Sequence, residues 1–177
     1  MSHNLKIRFE GIATDKNGHI TDRIIIEKDL ILRNLLCEAK QLLFSPAVVA
    51  ADGMKDVLGS ATNTIAVASS LRGMQGSGVT AETSADFRIQ TPLYTAPDAV
   101  SVGNVTLGAG NQVTLAFTSA HTYAGGATVT EAGLAYCGGS TVTYLTAGNI
   151  QATRDTFAGV VIGAGGTFTS TYTFTVN

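Results

Sequence analysis

Residues 167–176 read Thr167-Phe168-Thr169-Ser170-Thr171-Tyr172-Thr173-Phe174-Thr175-Val176. Phe168, Ser170, Tyr172, Phe174 and Val176 share one parity, and five threonines share the other. A strand, whose successive side chains point to opposite faces, separates these two sets cleanly. One face is apolar enough to rest on a core, and the other carries hydroxyl groups without charge. Working back from this strand, segments 100–107, 111–118, 127–136, 141–146 and 157–162 are likewise rich in Val, Thr, Phe and Tyr. Gly108-Ala109-Gly110-Asn111, Gly125-Gly126, Gly138-Gly139 and Gly163-Ala164-Gly165-Gly166 separate most of them. Short strands at spacings near ten residues predict a mainly β fold, an antiparallel β-sandwich or jelly roll, over residues 63–177. The threonine-rich final strand is the candidate for an exposed sheet edge.

The N-terminal third reads differently. Residues 5–12 alternate Leu5, Ile7, Phe9 and Gly11 against Lys6, Arg8, Glu10 and Ile12. Asp15-Lys16-Asn17-Gly18 carries the Asn-Gly pair that favours a tight hairpin, and residues 20–26 supply a return strand. Asp29 suits a helix N-cap; Leu30, Leu32 or Arg33, Leu36, Ala39 or Lys40, and Leu43 follow near helical spacing, with Pro46 just past the end. The expectation is one amphipathic helix over 30–44. Residues 1–62 then form a hairpin-plus-helix region that serves as a docking arm. Residues 45–62 read as loop and 64–68 as a short strand. Residues 69–83, with Gly73, Gly76 and Gly78, read as a long free-turning loop. A further strand is expected over 86–94.

Charge is unevenly placed. Residues 1–56 hold sixteen of the twenty-four acidic and basic residues, and residues 100–177 hold only Glu131, Arg154 and Asp155. A free-standing surface is ordinarily about a quarter to a third charged. The C-terminal half is therefore read as a surface to be packed against other chains. Net charge is −2, with no run of Lys and Arg. That argues against nucleic acid as a partner. No apolar run is long enough to span a bilayer, and residues 1–6 carry no apolar signal core. The expectation is a product made in the cytoplasm, with no membrane partner. Cys37 and Cys137 are too few for a disulfide framework and are expected to be reduced thiols.

Motifs for chemistry are weak. His3, His19 and His121 have no second ligand at metal-binding spacing. His19 fits a turn, and His121 fits a loop between strands. Gly73-Met74-Gln75-Gly76-Ser77-Gly78 lacks the Lys-Ser/Thr end of a phosphate loop. Asp15, Asp22, Asp52, Asp56, Glu82, Asp86 and Asp98 lie mostly in polar loop-like sequence, and tryptophan is absent. No catalytic set, cofactor or metal is expected. Glu131 and Arg154, isolated in a charge-poor half, are expected to pair within a subunit or across an interface.

The order of these pieces resembles that of small structural proteins of tailed bacteriophages. Gly11-Ile12-Ala13-Thr14-Asp15-Lys16-Asn17-Gly18 leads to the leucine-rich segment 30–44, and Thr64-Ile65-Ala66-Val67-Ala68 follows. Thr130-Glu131-Ala132-Gly133-Leu134-Ala135-Tyr136 is similar to a recurrent Glu-x-Gly-Leu strand of those proteins. Thr153-Arg154-Asp155-Thr156-Phe157, Gly165-Gly166-Thr167-Phe168 and the final strand are similar to their closing pair. Ala66-Val67-Ala68-Ser69 departs from the pattern in lacking a glycine after the valine. The resemblance implies a virion subunit, a head-decoration or a tail or neck component. Its partners would be copies of itself and major capsid or tail and neck proteins. Interface candidates are Thr169, Thr171, Thr173, Thr175, Glu131 and Arg154. The alternative is a receptor- or carbohydrate-binding module with an aromatic patch including Tyr94, Tyr123 or Tyr144.

Overall fold

A computed structural model describes residues 5–28, 57–60, 70–83, 86–108, 112–137, 143–146 and 149–176. These residues are mainly β, in two antiparallel sheets, and contain no helix. The expected helix over 30–44 and the strand over 64–68 lie outside them. Backbone contacts divide the chain into two compact units. Unit 1 takes residues 1–30, 99–128 and 160–177; unit 2 takes 31–98 and 129–159. This division differs from a boundary at 62/63, because the N-terminal hairpin shares a sheet with the last strand.

Unit 1 is built on β1 (Leu5–Thr14), β2 (Ile20–Lys28), β5 (Ser101–Val102), β6 (Thr106–Leu107), β7 (Val113–Tyr123) and β11 (Gly166–Val176). The sheet order is β2-β1-β11-β7-β5, with β6 also on β7. The Asn-Gly hairpin forms as its sequence dictates. Gly18 takes φ 86°, and its N–H donates to the Asp15 carbonyl at 3.0 Å. The Asp15 carboxylate accepts from the backbone N–H groups of His19 and Asn17. The His19 N–H, foremost among these contacts, holds the Asp15 carboxyl below its ordinary range.

The final strand is not an edge. It lies between β1 and β7, paired from Thr167 to Val176 on the β1 side and from Gly166 to Val176 on the β7 side. Edge character depends on strand order, which alternation within one strand does not encode. Register then assembles the two faces. Phe9, Tyr172 and Phe117 align across three strands, as do Gly11, Ser170 and Ser119. Phe9, Phe168, Tyr172, Ser119 and Ser170 are buried, and the two serine hydroxyls bond each other at 2.9 Å. Phe9 meets Tyr172 at 5.1 Å, and Phe117 meets Phe174 edge-on at 5.5 Å. His121 falls inside β7 rather than in a loop, its ring 4.7 Å from that of Tyr123. The alternation of residues 113–123 runs on past the expected end at 118 because Gly166 to Ser170 pair with residues 119–123.

Unit 2 holds β3 (Ser70–Gly76), β4 (Asp98–Ala99), β8 (Ala127–Cys137), β9 (Ile150–Gln151) and β10 (Asp155–Ile162), the ends of β4, β8 and β10 passing into unit 1. Its sheet order is β10-β8-β3-β4, with β9 also on β8. β3 corrects the reading of 69–83 as a free loop. Gly76 sits where an added Cβ would run into Glu131, Ile89 and the Thr91 carbonyl. This glycine permits close approach within a strand rather than a turn. Residues 86–94 form no strand apart from the bridge between Gly76 and Pro92. Residues 143–146, expected as part of a strand, form none, and 144–146 are bends. The unit 2 core gathers Val57, Met74, Ile89, Ala135, Cys137 and Tyr144.

Candidate functional site

Glu131, Arg154 and Asp86 of unit 2 meet in one ion-pair cluster. Glu131 sits on β8, and Arg154 directly precedes β10. The pair expected from the sequence forms within one chain. Arg154 Nε donates to Glu131 Oε2 at 2.9 Å, and neither side chain is exposed. Arg154 Nη1 donates to Asp86 Oδ2 at 2.6 Å, and Nη2 to the Thr80 carbonyl at 2.9 Å. Glu131 Oε1 accepts from the backbone N–H groups of Gly78 and Thr91, at 2.9 and 2.8 Å. Its Oε2 also accepts from Gln90 N–H at 3.1 Å. Five hydrogen-bond donors and acceptors of segment 78–91 are thus held by two side chains.

This explains why 86–94 is not a strand. Backbone donors that a ladder would use go to a carboxylate instead. Glu82 adds a second anchor, accepting from Thr156 N–H and Oγ1 at 2.9 and 2.5 Å. The Glu131 oxygens accept four hydrogen bonds, about the full capacity of a carboxylate. Glu131 is therefore a positioning residue with no lone pair left for proton transfer. Among the described residues, no group of three or more His, Cys, Asp and Glu could hold a metal ion. No helix among them is long and apolar enough to cross a membrane.

A second buried polar set braces the unit 2 core. Tyr144 Oη accepts from Ile89 N–H at 2.6 Å and donates to Gln151 Oε1 at 2.5 Å. Burial pushes the Tyr144 phenol well above its ordinary range. A small cavity of about 210 Å³ opens beside it, lined by Pro92, Leu93, Tyr94, Thr143, Tyr144 and Leu145 among others. Tyr94 packs against the core and donates to Asp98 Oδ2 at 2.6 Å.

Cys137 is a free, buried thiol; Cys37 lies outside the described residues. Burial pushes the Cys137 thiol up to about 12 from an ordinary 9.0. Since the folded value exceeds the unfolded one, the unfolded chain loses this proton first as pH rises. The stabilisation is whole below about pH 8.5 and is lost progressively towards pH 12. We expect unfolding free energy above pH 9 to fall by up to about 1.4 kcal/mol per pH unit more in the wild type than in Cys137→Ala. Urea titrations of both proteins from pH 8 to 10.5 measure this. Parallel slopes would exclude it.

The threonine candidates occupy one face of unit 1. Thr169, Thr171, Thr173 and Thr175 are half-buried on β11. Thr171 Oγ1 lies 3.1 Å from Thr118 Oγ1, and Thr167 Oγ1 2.8 Å from Thr122 Oγ1. β7 adds Thr114, Ala116 and Ala120 to the same face, so the β11–β7 half carries no charge. The β1–β2 half carries Arg8, Glu10, Arg23 and Glu27. Glu10 bonds Arg23 Nε at 2.6 Å and Glu27 bonds Arg8 Nε at 3.0 Å. The structure thus keeps the threonines on a surface and takes Glu131 and Arg154 off it. Asp86 and Thr80 joined the ion pair unannounced, since their distance in sequence gives no signal. Compared with known proteins, the chain matches no family model, no curated protein and no solved structure.

Proposed function

We propose that this chain is a structural subunit of a tailed-phage virion, a head-decoration or a tail or neck component, acting through protein–protein assembly and not as an enzyme. The observation that carries the reading is the uncharged β11–β7 face. Its hydroxyl and methyl groups run in register from Thr167 to Thr175 on β11, with Thr114, Ala116, Thr118, Ala120 and Thr122 beside them. Hydroxyls already bonded to one another, as at Thr118 and Thr171, lose little water on being covered. The face also lacks the charges that keep neighbours apart. Copies of the chain and major capsid or tail and neck proteins are the partners that go with this reading. The antiparallel sandwich or jelly roll expected from the sequence belongs to it too, as does a virion location.

A second reading, a receptor- or carbohydrate-binding module, is favoured by the cavity beside Tyr94 and Tyr144. Small-molecule sites usually run from about 300 Å³ upward, and the cavity falls below that. Tyr144 is fully buried and offers no open ring for a sugar to stack on. The assembly reading therefore stands first.

Light scattering of the purified chain, with electron micrographs of the same sample, tests the proposal. A discrete oligomer, or stable binding to tailed-phage particles lacking the chain, is the expected result. Thr171→Lys and Thr173→Lys should reduce that assembly while leaving thermal unfolding of the subunit closer to wild type. A monomer that binds no particle would overturn the proposal.

A further inference from the structure

β2 ends the unit 1 sheet, and among the described residues nothing pairs with its outer side. It reads Ile20-Thr21-Asp22-Arg23-Ile24-Ile25-Ile26-Glu27-Lys28. A nine-residue edge with an isoleucine centre and no proline is a template for another strand. Four charges flank the isoleucines, and their signs invert across the centre: negative and positive at 22 and 23, negative and positive at 27 and 28.

We infer that a second copy of this chain pairs with this edge, β2 against β2 in antiparallel sense, about a twofold axis at Ile25. The inference deepens the assembly reading and rests on it, since it supposes that the chain self-associates. On an antiparallel edge, free N–H and C=O groups recur at every second residue. Two identical edges therefore pair only where the partner numbers add to an even sum. The sum of 50 sets Ile25 opposite Ile25, Ile24 opposite Ile26, Arg23 opposite Glu27 and Asp22 opposite Lys28. Shifting by one allowed step sets Arg23 opposite Ile25 and Asp22 opposite Ile26, or Glu27 opposite Ile25 and Lys28 opposite Ile24. A parallel, in-register pairing sets like charges side by side. Only the first register matches every charge of β2 with its opposite and every central isoleucine with another.

The side chains leave room for this partner. Ile25 is 47% exposed. The Arg23 and Glu27 side chains are 56% and 69% exposed while already holding Glu10 and Arg8. Across the axis, the Arg8–Glu27 pair of one chain would meet the Arg23–Glu10 pair of the other, forming one continuous row. Ile24 and Ile26, half-buried on the opposite face, would gain cover. An isologous contact of this kind closes on itself and stops, unlike open edge-to-edge growth.

Sedimentation equilibrium and light scattering of the full chain test the register. Asp22→Lys brings two lysines together at each end of the contact, and Lys28→Asp brings two aspartates. Each variant alone should weaken self-association about tenfold or more, because two attractive pairs become repulsive. Mixing the two variants should restore association, since every position then meets its opposite again. A variant that merely misfolds could not be rescued by mixing. Ile25→Cys should crosslink to itself on mild oxidation. If the wild type self-associates but both charge variants do so undiminished, or the mixture is no better than its parts, the edge assignment fails while the assembly reading stands. A wild type that neither self-associates nor binds particles overturns both.

Discussion

Arg154→Met should destabilise unit 2 by about 3–5 kcal/mol, the range for breaking one partner out of a buried ion pair. The substitution keeps much of the aliphatic volume but leaves the Glu131 carboxylate without its cation, at a site with no exposure. Asp86 and the Thr80 carbonyl lose the Arg154 N–H groups at the same time, Asp86 keeping only its bonds from Thr83. Replacing both members of a buried pair by apolar residues is often neutral. Here it should not be. Glu131 also accepts from the N–H groups of Gly78, Gln90 and Thr91, and orphaning the buried Gly78 donor alone costs about 1–3 kcal/mol. Glu131→Leu combined with Arg154→Met is therefore expected to be less stable than Arg154→Met alone. Urea unfolding, with hydrogen exchange at the amides of 78, 90 and 91, provides the measurement. A loss below about 1 kcal/mol in Arg154→Met would remove the ion pair from its role as anchor of segment 78–91.

Phe168→Ala should cost unit 1 a similar amount, about 3–5 kcal/mol, through lost burial and a residual cavity. Phe168 is fully buried, and its ring occupies the space where a Cβ on Gly11 would lie. That contact makes a sharper test than the single variant. In the wild type, Gly11→Ala should destabilise by about 1–3 kcal/mol, because the ring must move. In the Phe168→Ala background the same methyl enters vacated space and should be neutral or stabilising. Thermal or urea unfolding of the four proteins gives the coupling. Additive losses would mean that the ring and Gly11 do not share that space.

Legibility in the sequence followed locality. The hairpin of β1 and β2 was readable because alternation and an Asn-Gly turn lie within some twenty consecutive residues. The two faces of β11 were readable for the same reason. Its place in the sheet was not, since partners at residues 5–14 and 113–123 are invisible from 166–176. Glycine misled in β3. The same residue that frees a turn also lets Glu131 and Ile89 approach Gly76, and composition does not distinguish the two uses. Segment 86–94 has strand-like residues, yet a carboxylate forty positions away takes its N–H groups. The Glu131–Arg154 pair could be anticipated because so little other charge surrounds it in the sequence. Asp86, drawn from a more charged stretch, could not.

The central position of β11 has a consequence for how the chain comes into being. β1 (Leu5–Thr14) is made well before its inner neighbour β11 (Gly166–Val176), with most of the described strands between them. At about 5–20 residues per second, translation separates them by on the order of ten seconds. Through that interval β1 has β2 on one side and nothing on the other, and Phe9 lacks Tyr172. A nascent hairpin with an open apolar flank is a target for chaperones and for neighbouring nascent chains on the same message. Completion of unit 1 therefore waits until residues 166–176 have been made. Products that stall before residue 166 would be left with an unfinished sheet.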